Sequence, residues 1–428
     1  VKRTLTAMAG ASLTQAGSLA IGGILASRLL GPHDRGLMVL GTTSGSIAAL
    51  VAALGTSHAL RARLPRLEDE AARRKLIASY TWLTVAAVIL GGVLATAACQ
   101  VCGLTIDEGM AEPTFLLAVL LVTTGQTAMV QFPDTWFAAG RFRTGSTWAA
   151  AVAAGGTAGI VLAALLLNRT AWTLLVGQAL GMMTLAAAQA VHLRSARLLR
   201  LAKPDRWEMI QLLRSGAQSL SLTIGLALAL RADRYILGGA AGADVVGIYS
   251  TAATLSEAPR VVPAAMGQMT YRKVTLGCER AEVDRAALYA FLASLVTGLP
   301  VAVAGWFLIV PVFGSAFADA KPLLLVLLLG ELLFAPFAVA SRGLLGGGWM
   351  GLAGLIGASG TVAALLLYSA TTPAWGAAGA AWSSALLYSC LSIASMIALR
   401  RRLARRRTQA PLPGFPATAH AGLERTRS

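Results

Sequence analysis

Apolar runs of about 20 residues recur from one end of this chain to the other, and nothing else in the sequence limits its fold so strongly. About 20 such residues are needed to cross roughly 30 Å of hydrocarbon as a helix. Backbone inside hydrocarbon must satisfy its own hydrogen bonds, so it spans as helices or as a closed barrel. Barrel strands alternate polar and apolar residues, and these runs are continuous. The chain therefore reads as an all-α polytopic membrane protein. A mean hydropathy of +0.67 and a charged fraction of only 13% agree. So do 45 glycines, which suit close packing between membrane helices.

Twelve spans are expected, near residues 5–30, 37–60, 76–102, 114–138, 147–167, 171–191, 215–238, 245–271, 286–312, 321–341, 350–370 and 376–399. Several exceed the minimum length, so tilt is expected. Val1, Lys2 and Arg3 precede the first run, but that run is too long for a signal peptide and is expected to stay as the first helix. Basic residues test this phase. One set of alternate connections, together with both termini, holds 29 Lys and Arg, the other set holds 6, and Arg260 falls inside a span. The asymmetry predicts that the first set and both termini are cytoplasmic. It also accounts for most of the net charge of +17 as topological signal, so nucleic acid is not implied as a partner.

The connection holding Arg194, Arg197, Arg200, Lys203 and Arg206 lies near the middle of the chain. It divides an N-terminal six-helix lobe (1–193) from a C-terminal one (215–399), with a basic cytoplasmic linker at 194–214. Both lobes start from the same side, so the repeat is parallel about an axis along the membrane normal. The segment 400–428 reads as a basic disordered cytoplasmic tail whose start lies against anionic membrane lipids. Internal matches support duplication. Gly31 and Gly36 in RLLGPHDRG recur as Gly242 and Gly247, each offset by 211 residues.

Charges within spans are costly and therefore informative. Glu257 and Arg260 lie three apart on one helix face, where they either line a polar cavity or pair with each other as structural glue. Glu331 and Arg342 are eleven apart, nearly in phase, with Pro336 between them expected to kink the helix. Arg342 is either a cavity residue or a boundary charge. Arg231, Asp233 and Arg234 close the seventh span near the outer face, as Arg28 closes the first. Arginines on that depleted side either snorkel to headgroups or bind phosphate through forked hydrogen bonds. Asp134, after Gln126 and Gln131, either completes a polar stripe or marks a helix end broken by Pro133. Possible ion coupling is assigned to Asp134, Asp233, Glu257 and Glu331.

Signatures of soluble enzymes are missing. The four histidines have no HExxH spacing, and neither GxSxG nor a P-loop occurs. Cys99 and Cys102 form a lone CxxC at the end of an apolar run and read as packing residues. No metal or cofactor is implied.

The segment RLLGPHDRG at 28–36, the pair DRYILG at 233–238 and GIYS at 247–250 followed by Glu257, and GAAGAAW at 376–382 resemble the polysaccharide transporter family. These are the O-antigen and exopolysaccharide flippases of the multidrug/oligosaccharidyl-lipid/polysaccharide (MOP) superfamily. The resemblance implies two six-helix lobes in a V around a central cavity, in a multi-pass protein of the cytoplasmic membrane. It also implies that undecaprenyl-diphosphate-linked oligosaccharide is flipped by alternating access, with polysaccharide assembly proteins as partners. It places Arg28, Asp233, Arg234 and Glu257 at motif positions. Arg231 and Arg260 align by the offset with Ala20 and Ala49, so a symmetric binding site is not expected. Alternatives are a cation-coupled drug antiporter of the same superfamily and a membrane-embedded polysaccharide polymerase. Acidic residues would favour the first, a large outer loop the second.

Overall fold

The computed structural model describes residues 2–408, and the tail at 409–428 lies outside the described residues. The first half contains α1 (Lys2–Leu29), α2 (Pro32–Ala53), α3 (Thr56–Arg63), α4 (Glu70–Thr105), α5 (Pro113–Ala138), α6 (Phe142–Leu166) and α7 (Ala171–Ser195). The second contains α8 (Arg206–Ala229), α9 (Ala232–Ser256), α10 (Val261–Thr275), α11 (Arg280–Phe313), α12 (Ala320–Gly346) and α13 (Met350–Thr408). Several boundaries follow from local chemistry. Pro32 and Pro113 sit at helix starts, where the missing N–H costs nothing. Asp69 caps α4 by accepting from the amides of Ala71 and Ala72.

Two of these helices are hairpins. Asp233 Oδ2 accepts from Tyr249 Oη at 2.7 Å. In a straight helix sixteen residues would separate them by about 24 Å, so the chain reverses at Gly242, where φ is 84°. Tyr368 Oη likewise meets Ser384 Oγ at 3.0 Å across Gly376, which folds α13 into two legs. With α2–α3, α8–α9 and α9–α10 each forming one pass, the chain crosses twelve times, as the apolar runs predict. Nine helices among the described residues are long and apolar enough to cross a membrane by themselves or as a merged pair.

Helices α1 to α7 pack chiefly on one another, as do α8 to α13. Between the halves α2 lies along α9, and α3 lies along α8. At the first of these crossings a Cβ on Gly36 would stand 1.9 Å from Ala243 O, and one on Gly247 would stand 1.9 Å from Pro32 O. Only glycine permits that approach.

Some expectations change. The connection between halves is shorter than 194–214, because α7 runs to Ser195 and α8 starts at Arg206. Residues 400–408 continue α13 rather than starting a tail. The seventh pass is not one helix: α8 ends at Ala229 and α9 begins at Ala232, with Arg231 at φ −132°. The eighth pass crosses a 3-10 turn at Ala258–Arg260 that contains Pro259. By contrast, α5 continues through Pro133 and α12 through Pro336. Ser392 Oγ donates to Leu333 O at 2.6 Å, beside the carbonyls that Pro336 leaves short of a donor.

Candidate substrate-binding site

The breaks in the seventh and eighth passes gather a charged constellation. Arg231 stands eleven residues before the Gly242 turn, a helical rise of about 16 Å, so it lies within the pass and not at its outer end. This corrects the placement of Arg231, Asp233 and Arg234 at the outer face. The apolar run thins around the three charges, which looks like a span ending. In fact a second helical leg follows them. Removing Arg231 and Arg234 from the depleted connections leaves only four basic residues there and sharpens the asymmetry.

Glu257 Oε1 lies 3.6 Å from Arg234 Nη2 and 3.9 Å from Arg231 Nη2. Arg260, three residues on, does not take Glu257 as its close partner. It forms a two-point ion pair with Glu331 of α12, its Nε donating to Oε2 at 2.8 Å and its Nη2 to Oε1. The guanidinium also lies 5.0 Å from the Phe334 ring centre and 6.0 Å from that of Tyr388. The eighth pass bends at the turn between Glu257 and Arg260, and this gives each residue a different neighbour.

The remaining members are hydrogen-bonded locally. Asp233 is buried and accepts from Tyr249 Oη and from the Arg234 amide at 2.8 Å. Tyr249 and Tyr368 both reach Ser384. The first half closes one side: Arg234 Nη1 donates to Thr43 Oγ1 at 3.3 Å, and Tyr235 Oη meets Ser44 Oγ at 2.8 Å. Arg35, buried on α2, reaches Thr254 Oγ1 at 3.5 Å. Arg234 and Glu331 are almost fully covered, but the side chains of Arg231 and Glu257 are 34% and 36% exposed, so the constellation has an open edge.

Three candidates lie elsewhere. Arg28 is exposed in the last turn of α1. Arg342 is exposed about 16 Å along α12 from Glu331, beside Gly267 of α10. Although in phase by count, the two residues occupy unlike surroundings. Asp134 is four residues from the end of α5 and pairs with Arg61 of α3, whose guanidinium also stacks 4.5 Å from the Phe137 ring centre. Gln126 and Gln131, which precede it, also serve local contacts: Gln131 accepts from Tyr80, and Gln126 donates to Thr42 O.

Sequence reasoning missed Arg35, Thr43, Tyr249, Phe334, Tyr368 and Tyr388. A tyrosine within an apolar run was the available signal, since its hydroxyl needs a partner inside the membrane. Arg35 is hidden because it falls in a connection between apolar runs.

Residues 3–271 match the profile of a family described as polysaccharide biosynthesis protein. No curated protein sequence matches the chain. Solved structures with a similar fold include an inward-facing multidrug resistance MATE family transporter of the MOP superfamily. Its TM-score is 0.71 at 15% identity, over 93% of this chain and 96% of that one. The lipid II flippase MurJ in an inward closed conformation gives 0.64 at 12% identity, over 94% and 88%. A MOP superfamily transporter from Pyrococcus furiosus gives 0.55 at 14% identity, over 95% of each.

Proposed function

Because the chain belongs to the polysaccharide biosynthesis protein family and has the fold of the MOP transporters, we propose that it flips undecaprenyl-diphosphate-linked oligosaccharide repeat units across the cytoplasmic membrane. It acts as a transporter and not as an enzyme. The observation that carries this reading is the pair of arginines inside the broken seventh pass, Arg231 and Arg234, with Arg35 facing them from the first half. A charge there costs several kcal/mol on insertion scales, about 2.5–3.5 for arginine at a helix centre. Fixed cations at a broken helix suit a phosphate-bearing headgroup, whose oxygens accept forked guanidinium hydrogen bonds.

The constellation sits where α9 of the second half packs along α2 of the first, so the proposed site lies between lobes that rock against each other. The diphosphate engages the open edge at Arg231 and the lipid tail stays in the bilayer. Substrate drives the exchange only by interacting differently with the two states. Polysaccharide assembly proteins and anionic lipids remain proposed partners. The antiporter reading has less support, because Glu257 and Glu331 each face arginines and offer little net negative charge to a cationic drug.

The test is reconstitution. Proteoliposomes carrying a fluorescent undecaprenyl-diphosphate oligosaccharide should bleach fully with a membrane-impermeant quencher when the protein is present and by half without it. Equal bleaching in both would overturn the reading.

A further inference from the structure

The two glutamates of the constellation hold their arginines in unlike ways. Glu331 is 5% exposed and uses both oxygens on Arg260, whose faces are covered by Phe334 and Tyr388. That guanidinium is held at two points by one carboxylate. Glu257 instead presents one oxygen to two guanidiniums at 3.6 and 3.9 Å, both beyond hydrogen-bond length. Its side chain is partly exposed and stands at the junction of α9 with the 3-10 turn. Arg234 Nε is buried with no hydrogen-bond partner. Arg231 and Arg234 thus share one counter-charge without being fully hydrogen-bonded.

We propose that Glu257 is a resident counter-ion, which an anionic group of the substrate displaces from Arg231 and Arg234. The inference rests on the flippase reading above and assigns a role within that site. Two uncompensated arginines within the membrane would be costly, and Glu257 reduces that cost while the site is empty. A diphosphate brings more acceptor oxygens and makes the short hydrogen bonds that Glu257 does not. Glu257 therefore competes with substrate. It holds affinity below what the two arginines alone would give, and it refills the site as substrate leaves. Arg260 and Glu331 stay paired throughout and fix the bend in the eighth pass.

The test measures binding to the full-length protein in nanodiscs, with undecaprenyl diphosphate and neutral undecaprenol as probes. Glu257→Gln should bind undecaprenyl diphosphate about ten-fold more tightly than the parent, a change of roughly 1.4 kcal/mol. Its release should slow, and undecaprenol binding should not change. Arg231→Gln should weaken diphosphate binding. If Glu257→Gln melts like the parent and binds the diphosphate no more tightly, the counter-ion role is overturned while the flippase reading stands. If it does not fold, Glu257→Asp, whose carboxylate is one methylene shorter, decides by the same criterion. If the parent does not distinguish the diphosphate from undecaprenol, the substrate reading fails and the counter-ion role fails with it.

Discussion

His33 and Asp244 occupy equivalent positions in the two halves, 211 residues apart, and His33 Nδ1 lies 3.3 Å from Asp244 Oδ2. The surrounding contacts exchange under the same offset. Gly36 faces Ala243, and its equivalent, Gly247, faces Pro32. A local two-fold relation therefore runs between His33 and Asp244, and the crossing is self-complementary, as in a symmetric dimer. Farther from that axis the pairing keeps the offset but its chemistry differs. Thr43 meets Arg234, whereas the equivalent contact of Thr254 is to Gly23. The scaffold is duplicated, and the charges belong mainly to the second half.

The crossing should be sensitive to a single methyl group. Gly36→Ala or Gly247→Ala places a Cβ 1.9 Å from a backbone carbonyl oxygen. Overpacking of this kind costs about 1–3 kcal/mol, enough to separate α2 from α9 at the turns. Cysteine crosslinking between residues 33 and 244 should fall in both variants. Gly239→Ala, with nothing within 4 Å of the new atom, should crosslink like its parent.

Breaking the Arg260–Glu331 pair should destabilise the protein rather than merely weaken substrate binding. Leaving one buried partner unpaired costs about 3–5 kcal/mol, whereas replacing both with apolar residues is often neutral. Arg260→Met alone should lower the melting temperature in detergent. Arg260→Met with Glu331→Leu should restore it. A double variant less stable than either single one would contradict this account.

The sequence revealed more about the passes than about the pairing. Apolar length and basic asymmetry located twelve crossings, because hydrocarbon thickness and charge cost act on each segment separately. Partner choice depends on how segments meet. Glu257 and Arg260 looked like a pair by helical spacing, yet the bend between them hands Arg260 to a residue 71 positions away. Arg231 looked like the end of a span because the leg from 232 to 241 is short and rich in Gly and Ala. The lobe asymmetry was legible, since Arg231 and Arg260 align with alanines.

Asp134 should prove separate from the charged constellation. Its partner near the end of α5 is Arg61 of α3. Asp134→Asn should change the stability of the α3–α5 contact and leave undecaprenyl diphosphate affinity unchanged. A loss of affinity in a variant of unaltered stability would place Asp134 in the substrate path.

Orientation can be checked with single cysteines in a cysteine-free background. Position 168 belongs to the connections poor in basic residues and position 202 to those rich in them. In intact cells an impermeant maleimide should label 168, and it should label 202 only after lysis. The reverse pattern would overturn the predicted orientation.

The most direct measurement examines lipids from cells lacking this protein. Lipid-diphosphate oligosaccharide should accumulate on the cytoplasmic leaflet. Wild type should clear it, and a stably folded Arg231→Gln, Arg234→Gln double variant should not. No accumulation, or full clearance by the double variant, would contradict a flippase built on these arginines.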